Sequence, residues 1–399
     1  MLSPCLRALL ALSLVLAAAC EGRFEPGSDE ARPPASEPES PLPGPGNPGD
    51  PSGSDAGSPD AGLPALPEPG GTPAVQRSGR FDSRADVLGP TFEWPGATLT
   101  ARFRGTSVSA RLKPSPGSTG QYSVYLDGEP TAVLKPAADK DAVHVLAERL
   151  PDAAHTVTLV YRNEPLLGRR QQFLGFTFPG GELLAPPPLP TRRIEIIGDS
   201  ITCGYGSLGV APCTMSADNS SVEVTYGWLA AKALGAEPHI QCWSGIGVYR
   251  NNGGSLEETM PQKHPRTLPR ETALSAWDFS TWTPQVVVVN LGTNDFSGGA
   301  PSEPLFRQAY VNFLRDLREH YPAAELFVGF GPMQTGATLR QYLENVIEAA
   351  RTGGDSKVTF VDLATPRAEI NGCAGHPGRA SQQTMATKLE AAIRAKLGW

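Results

Sequence analysis

Residues 192–206 read RRIEIIGDSITCGYG. Ile194, Ile196 and Ile197 form a short apolar run that stops at Gly198, and a run of that length closed by glycine reads as a buried strand. Similar runs stand at residues 239–243, 286–289, 326–330 and 357–363. Segments with helical apolar spacing lie between and after them, at residues 225–234, 305–320, 339–350 and 382–397. The four valines 286–289 are apolar on both faces, as a strand inside a parallel sheet must be. Five strands alternating with helices predict a doubly wound α/β domain over residues 192–399.

Upstream the period changes. From residue 75 to 180 short alternating runs stand at 98–103, 107–112, 122–126, 144–150, 155–161 and 173–178, and Asp127-Gly128 is a hairpin turn signal. This predicts an antiparallel β-sandwich with no helical period. Residues 181–191, with Pro186-Pro187-Pro188, read as a stiff linker between the two parts.

The chain has 399 residues and a formal net charge of −7. Residues 21–73 alone carry ten acidic and two basic residues, with 14 prolines and 10 glycines. The acidity therefore belongs to a tether over residues 21–74 that cannot bury enough apolar surface to fold. The remainder is near neutral, which leaves no basic field for nucleic acid. Residues 1–20, MLSPCLRALLALSLVLAAAC, have the charge, apolar core and small residues of an export signal. Cys20 after Leu16-Ala17-Ala18-Ala19 resembles a bacterial lipobox, although Ala17 stands where a larger aliphatic is usual. Plain signal cleavage near Ala19 is the alternative. The expectation is an exported protein, either secreted or a lipoprotein at the outer surface or periplasmic face of a bacterial membrane, touching lipid only through Cys20.

Outside the signal and Cys20 the chain keeps Cys203, Cys213, Cys242 and Cys373. Export permits disulfides, but four cysteines allow three pairings that sequence does not rank, and buried free thiols are equally compatible. No C-x-x-C spacing points to zinc, and the six histidines show no ligand spacing. There is no Gly-x-Gly-x-x-Gly fingerprint or phosphate loop, so neither a cofactor nor a metal is expected.

Parallel sheets bind ligands beyond the carboxyl ends of their strands. The loops there hold Gly198-Asp199-Ser200, then Ser244-Gly245-Ile246-Gly247, then Gly292-Thr293-Asn294-Asp295, and finally His376-Pro377 ahead of the last helix. A serine hydroxyl is a weak nucleophile until an imidazole accepts its proton. The oxyanion that follows needs donors aimed in advance. The backbone N–H groups of Ser200 and Gly245 and the Asn294 amide are candidate donors. Taken singly, Ser200 reads as a helix cap, Asn294 as turn chemistry and His376 as a loop residue. Their arrival together at matching strand ends points to acyl transfer.

These blocks resemble the SGNH, or GDSL-like, hydrolases. The longer runs GDSITCGYG (198–206), SGIGVYRNNGG (244–254), WDFS (277–280) and NLGTNDF (290–296) resemble one branch, carbohydrate esterase family two. Gly79-Arg80-Phe81-Asp82 and Gly105-Thr106-Ser107-Val108 are similar to that family's sandwich. The resemblance implies a jelly-roll-like sandwich ahead of a flavodoxin-like hydrolase. It implies deacetylation of plant polysaccharides or glycosides, with Ser200 as nucleophile and His376 as base and then acid. Ser200, Gly245 and Asn294 would form the oxyanion hole. An acid that related proteins carry two or three residues before the histidine is missing, since Ala374 and Cys373 stand there. A Ser-His dyad is expected, with a carbonyl near Ala374 or Gly375 holding the ring; Asp295 or Asp362 from another loop is the alternative. Trp243 and Tyr249 are candidate sugar-stacking surfaces or core residues. The long segments 205–224 and 250–285 suggest lids or walls.

The leading expectation is a monomeric esterase acting on acetylated polysaccharide or oligosaccharide. An esterase or thioesterase for other acyl groups is one alternative. A decayed hydrolase kept as a carbohydrate-binding surface protein is another.

Overall fold

The computed structural model describes residues 72, 74–84, 88–271, 275–334 and 336–399. The segment read as an export signal, Cys20 and almost all of the segment read as a tether lie outside them.

Among the described residues the N-terminal part holds ten strands. They are β1 (Gln76–Ser78), β2 (Thr91–Phe92), β3 (Thr98–Gly105), β4 (Val108–Pro114), β5 (Tyr122–Leu126), β6 (Glu129–Leu134), β7 (Ala142–Ala147), β8 (Ala153–Tyr161), β9 (Gln171–Thr177) and β10 (Glu182–Leu184). A single turn of helix, α1 (Pro165–Gly168), precedes β9. One antiparallel sheet runs β1-β3-β8-β5-β6, with β10 also on β3, and the other runs β2-β9-β4-β7. Inward side chains of both sheets meet in one core, with Leu99, Tyr122, Val124, Leu159 and Tyr161 against Phe92, Ala110, Leu112 and Phe173. β4 alternates strictly buried and open, the period-two signal read from sequence. The segment read as a linker, 181–191, begins with β10: Glu182–Leu184 pairs with Arg102–Arg104 of β3 and closes the sandwich before the proline run.

The C-terminal part is a five-stranded parallel sheet of β11 (Arg192–Gly198), β12 (Ala236–Cys242), β13 (Val286–Asn290), β14 (Glu325–Phe330) and β15 (Val358–Asp362). Its helices are α2 (Ser200–Cys203), α3 (Tyr226–Ala233), α4 (Met260–Lys263), α5 (Glu303–His320), α6 (Ala337–Thr352) and α7 (Arg379–Leu397). The valines of β13 explain the layering. Val286 and Val288 face a core built with α3 and α7, while Val287 and Val289 face a core built with α5 and α6. The strand order β12-β11-β13-β14-β15 reverses beside β11, and the crevice of a doubly wound sheet opens at that switch. The loops after β11, β12 and β13 therefore converge on one place.

The two parts share an extensive interface. Arg80 donates to Glu195 of β11 at 2.7 Å with both side chains buried, and Ser78 donates to Glu237 of β12 at 2.6 Å. The long segments read as lids or walls dock the two parts against each other. Segment 250–285 offers the carbonyl of Arg266 to Trp94 Nε1, and segment 205–224 offers those of Ala217 and Ser220 to the Asn163 amide.

Candidate active site

β11 ends at Gly198, a position where nothing larger fits. A Cβ on it would lie 2.0 Å from Thr202 Oγ1 and 2.9 Å from the Asn290 carbonyl. Asp199 then caps α2, its Oδ1 accepting from the Ile201 N–H at 2.9 Å. This places Ser200 at the first position of the helix, 5% exposed. Its N–H belongs to the first turn and has no acceptor among the described residues.

Ser200 Oγ lies 2.9 Å from His376 Nε2, across 176 residues of chain. His376 follows a one-turn 3₁₀ segment, Cys373–Gly375, in which Ala374 adopts a left-handed φ of 52°. The other ring nitrogen, Nδ1, faces the Ala374 carbonyl at 3.3 Å. A carbonyl only accepts, so Nδ1 carries the proton and Nε2 is left to accept from the serine hydroxyl. Burial pushes the imidazole below its ordinary pKa, against the Ala374 and Cys373 backbone, which pulls it up. The ring is therefore a neutral base at neutral pH. Tyr205 stacks on it with centroids 4.0 Å apart and planes 23° apart.

The orienting group is thus the Ala374 carbonyl, and neither candidate carboxylate reaches the histidine. Asp362 binds Arg340 and the Ala364 N–H. Asp295 accepts from the N–H groups of Val248, Tyr249 and Arg250 at 3.1, 2.8 and 2.9 Å, and so shapes the loop that carries Gly245. Gly245 sits at φ 82°, where a side chain is strained, and its N–H has no acceptor among the described residues. Gly247 admits nothing larger, since a Cβ there would lie 1.9 Å from the Arg250 carbonyl.

Asn294 is buried beside both loops. Its Nδ2 donates to the Ile246 carbonyl at 2.8 Å and lies 3.4 Å from Asp199 Oδ2. The amide thus ties the first three blocks together, and its second bond is long. Burial raises the Asp199 carboxyl to about 7, against the Ile201 N–H, with Asp295 and Glu164 adding to the rise.

Two disulfides fasten these loops. Cys203–Cys242 joins the end of the helix that begins at Ser200 to the root of the Gly245 loop, with Cα atoms 5.5 Å apart. Cys213–Cys373 joins the histidine loop to the segment after α2, with Cα atoms 4.7 Å apart. The same contact carries bonds from Cys373 N to the Gly206 carbonyl and from Ala374 N to the Cys213 carbonyl. All four cysteines that sequence left open thus serve the site's scaffold.

Trp243 and Tyr249 are half-buried and pack against the sheet core, and the Trp243 ring lies beside Lys263 and Arg270. Sequence reasoning passed over Tyr205, although an aromatic between two glycines at positive φ, Gly204 and Gly206, marks a side chain held in one direction. It also passed over Glu164, whose partner lies 80 residues away. Among the described residues no group of three or more His, Cys, Asp or Glu gathers as a metal site requires.

Residues 77–188 match the carbohydrate esterase 2 N-terminal family, and residues 196–385 match the GDSL-like lipase/acylhydrolase family. A solved family two carbohydrate esterase from Clostridium thermocellum, in complex with cellohexaose, is 37% identical, with a TM-score of 0.77. The match covers 82% of this chain and 100% of that one. The cellulase/esterase CelE of Acetivibrio thermocellus is 38% identical over 336 residues, covering 82% of this chain and 40% of the relative, so this chain spans less than half of that protein. An acetylxylan esterase/glucomannan deacetylase of Cellvibrio japonicus is 28% identical over 329 residues, covering 82% of this chain and 90% of the relative. With its sandwich, its parallel sheet and the four blocks at the strand ends, the chain belongs to carbohydrate esterase family two, and through it to the carboxylic ester hydrolases.

Proposed function

We propose that this chain is a serine esterase that removes O-acetyl groups from polysaccharide or oligosaccharide through an acetyl-Ser200 intermediate. The observation that carries the reading is the 2.9 Å contact between Ser200 Oγ and His376 Nε2. His376 takes the hydroxyl proton as Oγ bonds to the acetyl carbon. The oxyanion is received by the N–H groups of Ser200 and Gly245 and by the Asn294 amide, whose long bond to Asp199 gives way to the substrate oxygen. Collapse breaks the bond to the sugar oxygen, which leaves as the alcohol with the proton from His376. Water, deprotonated by the same ring, then bonds to the acetyl carbon; the Ser200 Oγ–carbon bond breaks, Oγ takes the proton back from His376, and acetate leaves. The Ala374 carbonyl holds the tautomer that an acid holds in a triad.

The carbohydrate substrate is supported by the relatives, an acetylxylan esterase/glucomannan deacetylase and an esterase solved with cellohexaose. Residues 1–20 support export with Cys20 as a lipid anchor, and we propose a monomer held off the membrane by the tether. The test is acetate release from acetylated xylan, acetylated glucomannan and aryl acetate, by wild type and Ser200→Ala. Release from the polysaccharides that disappears in Ser200→Ala is expected; turnover of aryl acetate alone contradicts the substrate class.

A further inference from the structure

Four consecutive sandwich residues, Arg162 to Pro165, reach into the hydrolase part. The Arg162 carbonyl accepts from Val222 N–H at 3.0 Å, and the Asn163 amide donates to the carbonyls of Ala217 and Ser220. The Pro165 carbonyl accepts from Arg270 at 2.7 Å. Glu164, only 2% exposed, accepts twice from Ser244: from its N–H at 2.8 Å and from its hydroxyl at 2.5 Å. Ser244 is the residue before Gly245.

We propose that Glu164 is a positioning residue for the oxyanion donor at Gly245, so that the sandwich completes the hydrolytic site. The inference rests on the reading of Gly245 as that donor.

The loop around Gly245 is held from two sides. On the hydrolase side, Asp295 gathers three N–H groups of residues 248–250, and Asn294 binds the Ile246 carbonyl. On the other side, Ser244 has both its donors on Glu164. Gly245 has no side chain to anchor it and sits at φ 82°, so its N–H direction is set by its neighbours. Both bonds to Ser244 go to a carboxylate, and charge-assisted bonds are the stronger kind. Glu164 itself has a fixed backbone. It caps α1, and its carbonyl accepts from Leu167 and Gly168 N–H at 3.1 and 2.8 Å. A carboxylate that merely filled the interface would have no need to address a residue next to the donor with both bonds. Misplacing a catalytic group by about 1 Å costs up to about 100-fold in rate.

The test compares Glu164→Ala, Glu164→Gln and Ser244→Ala in the full chain, with rates expressed per active site titrated by a phosphonate. For an aryl acetate, Glu164→Ala is expected to lower kcat about 10–100-fold with KM changed less than about threefold. The inhibition constant of a small alkylboronate, which forms a tetrahedral adduct on serine, should weaken in parallel. Glu164→Gln, whose amide can accept from the N–H and donate to the hydroxyl of Ser244, should recover most of the loss. If Glu164→Ala does not fold, Ser244→Ala carries the test, with kcat expected to fall roughly 3–10-fold from the loss of one bond. Wild-type kcat per titrated site in Glu164→Ala, or in Ser244→Ala where only that folds, overturns the inference. So does a loss of kcat with unchanged boronate affinity. Wild type that binds neither phosphonate nor boronate instead overturns the reading of the site itself.

Discussion

Cys373 is bonded to Cys213, and the bond fastens the loop that carries His376 to the segment that follows the Ser200 helix. Cys373 stands three residues before the histidine, where related hydrolases carry an acid. A covalent tether and the Ala374 carbonyl thus hold the imidazole where a carboxylate elsewhere would. The double variant Cys213→Ala/Cys373→Ala is expected to lower kcat about tenfold or more, by releasing the ring, and to cost about 2–4 kcal/mol of stability. Aryl acetate kinetics with thermal melts check both effects, and a variant with wild-type kcat would show that the tether only stabilises.

Tyr205 lies flat against His376, and an aromatic pair of this kind contributes about 0.5–1.5 kcal/mol. Tyr205→Ala is expected to lower kcat roughly 3–10-fold, while Tyr205→Phe, which keeps the ring, should stay within about twofold of wild type. Steady-state kinetics of the pair separate stacking from any role of the hydroxyl.

His376 must be neutral to accept the serine proton, and its pKa is held below the ordinary value by burial. The acid limb of kcat/KM should therefore have its midpoint below 6.5, the ordinary value, with activity lost as pH falls through it. Stability runs the other way at Asp199, whose folded pKa of about 7 exceeds the usual 3.8. Its contribution is present below the unfolded value and is lost as pH rises through about 7. Asp199→Asn keeps a capping oxygen but cannot titrate. Its melting temperature relative to wild type should therefore rise between pH 5 and pH 8, and a constant difference would contradict the assignment.

Much of this was legible in the sequence. The valine run 286–289, apolar on both faces, placed the central strand, and the parallel topology brought Ser200, Gly245, Asn294 and His376 to one edge. Strands that bury little left a weak trace. β6 has no fully buried residue, so its alternation carried no apolar signal, and β1, β2 and β10 span only two or three residues. Pairwise geometry over long separations was out of reach. The partners of Cys203, Cys213 and Glu164 lie 39, 160 and 80 residues away, and no local pattern marks which groups will meet.

Asp295 illustrates the same limit, since sequence offered it as a possible orienting acid and the fold uses it to gather three N–H groups. Asp295→Ala would leave those donors, one buried and two partly buried, without an acceptor, at about 1–3 kcal/mol for each that finds no water. Calorimetric unfolding should show a loss of at least about 2 kcal/mol, accompanied by lower kcat as the Gly245 loop relaxes. Unchanged stability would mean the loop holds its shape without the carboxylate.

The proton-sharing contact between Ser200 and His376 is tested most directly by a fluorophosphonate probe read by peptide mass spectrometry, on wild type and on His376→Ala. The adduct is expected on Ser200, forming at least about 10³-fold more slowly once the imidazole is removed. An adduct on another residue, or equal labelling rates in the two proteins, would contradict it.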